Sequence, residues 1–162
     1  PVAVTVDVHA GRELVPATGI GVNDAIWDAR LGTATTSTLL GRAGVEVRRY
    51  PGGSYADIYH WKDHTAPGGY VAPDTDFDTF MSSVRATGAQ PSVIANYGTG
   101  TAQEAADWVE YANKTKHYGV KYWEIGNENY GNGHYGSAWE ADEHADKSPT
   151  AYAEAWSSTP RR

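Results

Sequence analysis

The segment VKYWEIGNEN, residues 120–129, decides how this sequence is interpreted. Its first six residues are rich in β-branched and aromatic side chains, which favours a short strand. A glycine then precedes two polar residues, Asn127 and Glu128. Polar side chains directly after a buried strand are typical of the functional edge of a parallel sheet. The segment therefore predicts a strand over 120–125 with Asn127 and Glu128 at its carboxyl end.

The rest of the chain repeats this pattern of strand followed by helix. Further strands are predicted over residues 19–23, 45–50 and 91–96, and helices over 38–43, 74–88, 101–119 and 149–156. Strands that alternate with helices indicate βαβ units and a parallel sheet. Glycine-rich nucleotide-binding motifs are absent from the turns that follow the strands, so a barrel-type arrangement is favoured over a nucleotide-binding fold.

The predicted fold class is therefore α/β: a parallel (β/α) half-barrel, the first four βα units of a TIM-type barrel. An extra N-terminal strand is predicted because Val2, Val4, Val6 and Val8 alternate with polar or small residues. We expect one domain over 1–162, with 1–18 as N-terminal strand and linker and 19–162 as the half-barrel. Asp74 is expected to cap the second helix, Thr101 to Glu104 forms a capping box, and Pro149 suits a first helical turn.

Composition excludes several classes of function. The net charge is −7 and cysteine is absent, which argues against a nucleic-acid partner, a disulfide framework and thiolate metal sites. No run of 18 apolar residues is present, so no membrane-spanning segment is predicted. No signal peptide opens the sequence, and we expect a secreted bacterial protein whose signal was removed before residue 1. His60 with His64, and His134 with His144, lack a recognised ligand spacing; no metal and no cofactor is predicted.

A polar group follows every predicted strand of the half-barrel, which is where barrel enzymes place their chemistry. Glycoside hydrolysis needs a carboxylic acid that protonates the leaving oxygen and a second carboxylate opposite it. Glu128 is the candidate acid/base, and Glu124, within the strand, is expected to be a paired or rim carboxylate. The candidate substrate-binding residues share a strand-end position or an aromatic ring suited to sugars; they are Asn127, Asn96, Arg49, Asn23, Asp24, Trp61 and Tyr130. Arg48 should point to the face opposite Arg49.

Three motifs in series resemble a known family. They are RYPGG at 49–53, NYG at 96–98 followed by EAADWVEYAN at 104–113, and KYWEIGNEN at 121–129. In this order and spacing they resemble the N-terminal half of the catalytic barrel in α-L-arabinofuranosidases of glycoside hydrolase family 51. The resemblance implies a (β/α)8 barrel and a retaining mechanism with Glu128 as general acid/base. It also implies that Asn127 binds the sugar 2-hydroxyl, that Asn96 contacts substrate, and that Arg49 supports the nucleophile.

Two features depart from the family pattern. The first strand ends in Asn23-Asp24 where the family usually has a sugar-binding Glu, and no residue matches the nucleophile after the seventh strand. We therefore expect a glycoside hydrolase-like domain for α-L-arabinofuranosides or related plant-type glycosides that is incomplete, and inactive by itself.

Other functions stay open at this point. The expected partners are an oligosaccharide or polysaccharide and, through open sheet edges, a second copy or a C-terminal half-barrel. The alternatives are a non-catalytic carbohydrate-binding or self-assembling half-barrel, and an unrelated α/β binding module with chance motifs.

Overall fold

The computed structural model describes residues 2–158 and contains one sheet of four parallel strands in chain order. The strands are β1 (Gly21–Asn23), β2 (Val47–Tyr50), β3 (Gln90–Ala95) and β4 (Tyr122–Ile125). The α-helices are α1 (Ala34–Arg42), α2 (Phe77–Thr87), α3 (Ala102–Glu110) and α4 (Pro149–Ser158). Short 3-10 turns cover Ala17–Gly19, Ser54–Ile58 and Asn129–Gly131, and a π-helical turn covers Tyr111–Thr115. The predicted parallel α/β fold is confirmed.

The two faces of β2 lie in different environments. Arg48 and Tyr50 are fully buried against the helices, while Val47 and Arg49 are half-buried on the other face. Tyr50 stacks on Phe80 of α2, with their ring centroids 4.5 Å apart. The core between sheet and helices combines aromatic and aliphatic side chains and includes Ile26, Leu31, Tyr50, Tyr59, Phe77, Phe80, Met81, Val84, Val93, Trp108, Ala112 and Val120.

Arg48 is the one arginine of β2 that enters this core, as the alternation of β2 predicts. Its Nε and Nη2 donate to the two carboxylate oxygens of Asp24 at 2.8 and 2.7 Å, and its Nη1 donates to Ser83 and Thr87. Both partners of the ion pair are buried. Asp24 was a candidate substrate-binding residue, but its carboxylate is bound by Arg48 on the helix-facing side of the sheet, so the structure does not bring it to the candidate site.

The helix ends follow local capping rules with one correction. Asp76, rather than the predicted Asp74, caps α2: its side chain accepts from the backbone N–H of Thr79 at 3.0 Å. An N-cap residue needs extended backbone angles. Asp76 has them, whereas Asp74 is left-handed with φ 56°. The Thr101 hydroxyl accepts from the N–H of Glu104, which is one half of the predicted capping box, while the Glu104 carboxylate contacts His60. Helix α4 begins at Pro149, as predicted.

The extra N-terminal strand is not found. Residues 2–16 hold no strand, and Val2, Val4, Val6 and Val8 are each more than 60% exposed. A strand is stabilised by backbone hydrogen bonds to a neighbouring strand, and no strand in the described part of the chain pairs with this segment. Residues 1 and 159–162 of the predicted domain lie outside the described residues. Between residues 2 and 158, no helix has the length and apolar character needed to cross a bilayer.

Replacing Asp24 with Asn should strongly destabilise the fold. The change leaves the fully buried guanidinium of Arg48 without a counter-charge, and breaking a buried pair in this way costs about 3–5 kcal/mol. The free energy of unfolding in urea measures the effect. Glu46→Gln, which alters an exposed carboxylate beside β2, is the control and should change stability by less than about 0.5 kcal/mol. A loss of that small size in Asp24→Asn would contradict the prediction.

Candidate active site

Arg49 joins the carboxyl ends of three strands on the face of the sheet that does not carry the helices. Asn23, Arg49 and Ser92 are register partners in β1, β2 and β3, so their side chains form a row. The Arg49 Nε donates to both oxygens of Glu124 on β4, at 3.0 and 2.9 Å, and its Nη2 lies 2.8 Å from Glu124 Oε2. Its Nη1 donates to Asn23 Oδ1, and its Nη2 also donates to Asn127 Oδ1, each at 3.1 Å.

Glu124 is held by this row. The Ser92 hydroxyl donates to Glu124 Oε1 at 2.8 Å, so both carboxylate oxygens accept hydrogen bonds from neighbouring side chains. Burial alone would raise the pKa of Glu124, but the hydrogen bonds from Arg49 and Ser92 outweigh it and hold the pKa below its usual value. The expected assignment of Glu124 as a paired carboxylate therefore agrees with its contacts.

The turn after β4 presents Glu128 through unusual backbone angles. Gly126 has φ 66°, and a Cβ there would lie 2.5 Å from Asn129 Oδ1, so only glycine fits. Glu128 itself is left-handed, with φ 44° and ψ 40°, a conformation that costs energy in a residue with a Cβ. Its side chain is exposed. Residues other than glycine that have left-handed backbone angles cluster at functional sites. The backbone angles of Glu128 therefore make it a candidate functional residue.

Three hydrogen bonds fix the orientation of Asn127. Its backbone N–H donates to Asp57 Oδ2 at 3.0 Å, its Nδ2 donates to Glu140 Oε1 at 3.1 Å, and its Oδ1 accepts from Arg49. A guanidinium only donates, so the hydrogen bond from Arg49 also fixes which amide atom of Asn127 is the oxygen. One N–H of the amide and one lone pair of Oδ1 are left for a ligand.

A cleft of about 620 Å³ lies over this turn. Its lining combines the end of β4, the turn that follows and the start of α4. The lining residues are Arg49, Glu124, Ile125, Gly126, Asn127, Glu128, Asn129, Tyr130, Asn132, Tyr135, Lys147, Ser148, Pro149 and Tyr152. Tyr130 lies beside the candidate acid: partial desolvation of its hydroxyl, and then the hydrogen bond to Glu128 and the charge of that carboxylate, raise the pKa of its phenol. The cleft therefore offers one exposed carboxylate among amide and aromatic side chains.

Two predicted substrate-binding residues lie away from this cleft. Trp61 stacks on Trp108 of α3 with centroids 5.7 Å apart, and its indole N–H donates to the Glu104 carbonyl. The Asn96 amide holds the loop after β3, since its Nδ2 donates to the Tyr59 carbonyl and its Oδ1 accepts from the Thr99 N–H. Neither belongs to the set that Arg49 joins, so their predicted contact with substrate stays untested.

The histidines also serve local contacts. His144 Nδ1 lies 2.8 Å from Asp142 Oδ1, and His60 Nδ1 lies 3.1 Å from both carboxylate oxygens of Glu104. His64 contacts the hydroxyl of Tyr59. Within residues 2–158 no three His, Cys, Asp or Glu side chains are arranged to hold a metal ion.

Sequence reasoning missed four residues of the site. Ser92, Asp57 and Glu140 bind Glu124 or Asn127, and Tyr152 of α4 lines the cleft and donates to the Ile125 carbonyl at 2.8 Å. Only Ser92 carried a usable signal: it is a polar residue inside an apolar strand, at the level of Arg49.

The chain is similar to α-L-arabinofuranosidases. It is 34% identical over 114 residues to a probable α-L-arabinofuranosidase C of Aspergillus niger, a match that covers 54% of this chain and 23% of that protein. It is 30% identical over 179 aligned positions to an intracellular exo-α-L-arabinofuranosidase of Bacteroides ovatus, covering 81% of this chain and 35% of that protein. No protein-family model matches it. Since one relative is described as intracellular and the other is fungal, secretion and a bacterial source stay predictions.

Solved structures agree with the sequence comparison. A family 51 α-L-arabinofuranosidase of Bifidobacterium longum superposes with a TM-score of 0.65 at 23% identity, over 90% of this chain and 35% of that chain. Family 51 structures are (β/α)8 barrels, and the four strands described above match part of one. The resemblance to family 51 is confirmed. The chain spans between 23% and 35% of the length of the curated relatives it matches.

Glu124 should make stability depend on pH in the acid range. Its pKa is lower in the folded chain than the usual 4.5, so its contribution is present above that value and is lost as the pH falls through the lowered folded pKa. We expect Glu124→Gln to be less stable than the unsubstituted chain at pH 7 and to lose less stability between pH 5 and pH 3, roughly the window that the linkage argument defines.

Urea unfolding at these pH values measures this difference. Glu143→Gln, which alters an exposed carboxylate, is the matched control and should leave the pH profile unchanged. If Glu124→Gln and the control gave the same pH profile as the unsubstituted chain, the pair with Arg49 would contribute nothing to stability.

Proposed function

We propose that this chain, similar to the family 51 α-L-arabinofuranosidases, forms the acid/base side of a glycosidase active site with Glu128 as the acid/base. The observation that carries the proposal is the contrast between two carboxylates. Of the described residues that line the cleft, only Glu124 and Glu128 carry carboxylates, and Glu124 is held by Arg49 and Ser92. Glu128 is exposed on a left-handed turn and open to a ligand.

The proposed chemistry is retaining glycoside hydrolysis. Glu128 donates its proton to the glycosidic oxygen as the bond to the leaving group breaks, and later removes a proton from the water that releases the sugar. Asn127, next to it, keeps one N–H and one lone pair for a sugar hydroxyl, in an orientation that Arg49 and Glu140 fix. A fixed hydrogen-bonding group loses little freedom when the transition state forms.

The nucleophile of this mechanism is proposed to come from outside residues 2–158. Retaining hydrolysis needs a second carboxylate opposite the acid/base. Within the described lining, the only other carboxylate is Glu124, and both of its oxygens are occupied. The cleft opens beside β4, on the side where a further strand of a (β/α)8 barrel would continue the sheet.

The proposed substrates are α-L-arabinofuranosides. The relatives in the comparison are named for that activity. The cleft supports a sugar ligand, because its amides and the exposed rings of Tyr130 and Tyr135 offer hydrogen bonds and flat apolar faces to neutral sugars. Asn23 lies at the end of β1 beside Arg49 and supplies an amide where family members usually place a Glu.

Glu128→Gln should abolish most arabinofuranosidase activity in a protein that contains this chain and the remainder of its barrel. Gln cannot donate the proton, and loss of general acid–base catalysis lowers kcat by about 100- to 10,000-fold. The assay compares an alkyl arabinofuranoside with an activated aryl arabinofuranoside. The aryl leaving group needs less protonation, so its cleavage step should suffer less.

Glu143→Gln is the matched control for this assay and should keep full activity. Equal losses on the two substrates would contradict the role of Glu128 as the acid. The purified 162-residue chain alone is expected to give no turnover. Turnover by that chain, removed by Glu128→Gln, would show that the nucleophile lies within these residues and would overturn that part of the proposal.

Self-association is a second candidate function, favoured by the sheet edges. Among the described strands, β1 pairs only with β2, and β4 only with β3, so each leaves one edge unpaired. Unpaired edges template pairing with another chain. We expect sedimentation velocity to show dimers or larger species of the 162-residue chain, weakened by Tyr122→Lys on the edge strand β4 and unaffected by Tyr70→Lys, which changes an exposed residue of the loop between β2 and α2. A monomer at all concentrations would exclude this candidate.

A further inference from the structure

Two acidic side chains lie buried behind the turn that carries Glu128. Asp57, on the 3-10 turn Ser54–Ile58, is fully buried, and Glu140, in the irregular segment after β4, is 5% exposed. The two carboxyls bind the same residue, since Asp57 accepts from the backbone N–H of Asn127 and Glu140 from its side-chain amide, so they lie close together. Among residues 2–158, no arginine or lysine forms a hydrogen bond with either carboxyl. Two ionised carboxylates in contact without a counter-charge are strongly unfavourable.

Each carboxyl has one oxygen bound and one without a partner. Asp57 Oδ2 accepts from the Asn127 N–H at 3.0 Å, and Glu140 Oε1 accepts from the Ser54 hydroxyl at 2.6 Å and from Asn127 Nδ2 at 3.1 Å. The remaining oxygens, Asp57 Oδ1 and Glu140 Oε2, are buried and unpartnered. A proton on one carboxyl turns it into a donor to the other, which satisfies buried groups that otherwise cost free energy.

We propose that Asp57 and Glu140 share one proton, and that this carboxyl pair positions the Asn127–Glu128 turn. Asn127 is the link, because its backbone N–H is bound by one member of the pair and its side-chain amide by the other. By holding Asn127, the pair determines the position of the backbone from which the Glu128 side chain extends. Asp57 and Glu140 are positioning residues: the pair acts on the candidate acid/base through Asn127.

The charges around the pair are almost all acidic or acquire negative charge. Glu128 and Tyr130 face Glu140 from the turn after β4, and Tyr97 and Tyr152 face Asp57 from the segment after β3 and from α4. In the described part of the chain, Arg49 is connected to the pair through Asn127, which it also binds.

This setting keeps the proton on the pair up to neutral pH. Burial, followed by the repulsion of Glu140, raises the pKa of Asp57 from 3.8 to about 7 against the hydrogen bonds that lower it. Burial, and then the charge of Glu128, also raise the pKa of Glu140 against the hydrogen bonds of Ser54 and Asn127. Above pH 7 the shared proton is lost, and the repelling carboxylates should loosen the turn.

The experiment is a pH titration of the 162-residue chain followed by NMR. Side-chain carboxyl 13C shifts report the ionisation of Asp57 and Glu140, and backbone amide shifts report the Asn127–Glu128 turn. We expect Asp57 to titrate with a midpoint near 7 and the Asn127 amide to shift with the same midpoint. In Glu140→Gln, the Asp57 midpoint should fall by about 1 unit or more, because a like charge is removed. Glu143→Gln is the control and should leave both midpoints unchanged.

Several results would overturn the proposal. An Asp57 midpoint near 4 in the unsubstituted chain would show that no proton is shared. If the chemical shift of the Asn127 amide does not change as Asp57 ionises, the pair does not position the turn. The titration of the unsubstituted chain decides both points if Glu140→Gln fails to fold. That the positioning serves catalysis rests on the proposed function, but the titration uses no sugar, so a failure of either idea is recognised separately.

Discussion

Two adjacent arginines of β2 each need a carboxylate on their own side of the sheet, and the structure meets both needs at once. Arg48 is bound by Asp24 within the core, and Arg49 is bound by Glu124 on the opposite face. Because strand side chains alternate, a shift of one residue would bury Arg49 and expose Arg48, separating both pairs. The two ion pairs therefore fix the register of β2 against its neighbours, and with it the level at which Arg49 meets Asn127.

The candidate site forms where this sheet network meets an irregular loop. Arg49 approaches Asn127 from the sheet, whereas Asp57 and Glu140 approach it from the loops behind. Each contact uses a different group of Asn127, so the residue has little freedom left to choose its orientation. Glu128 follows Asn127 directly in the chain. The fixed position of Asn127 therefore also restricts the backbone of Glu128, whose side chain is exposed. Arg49, Asp57 and Glu140 thus hold the residue next to Glu128, the proposed acid/base.

Most of the regular structure could be predicted because it depends on short-range patterns. Strands, helices and the two faces of β2 follow from residue spacing within about ten positions. The N-terminal strand was predicted wrongly, because alternation at residues 2–8 says nothing about whether a partner strand exists. Trp61 and Asn96 have side chains suited to sugars, and the structure shows their contacts with Trp108 and with the Tyr59 carbonyl; their contact with substrate stays a prediction. Asp57 and Glu140 bind Asn127 from segments that are far apart in sequence and lack periodicity, so no local pattern could reveal this arrangement.

The left-handed backbone of Glu128 has an evolutionary consequence. Glycine and, to a smaller degree, asparagine adopt these angles more readily than glutamate. Substitutions that increase stability at this position would therefore replace glutamate with glycine or asparagine. Glutamate should therefore persist at position 128 only under selection for the function of its carboxylate. The residue at this position in related sequences should show whether that function was retained. A related protein that binds sugars without cleaving them would no longer need the carboxylate, and glycine or asparagine could replace glutamate at this turn.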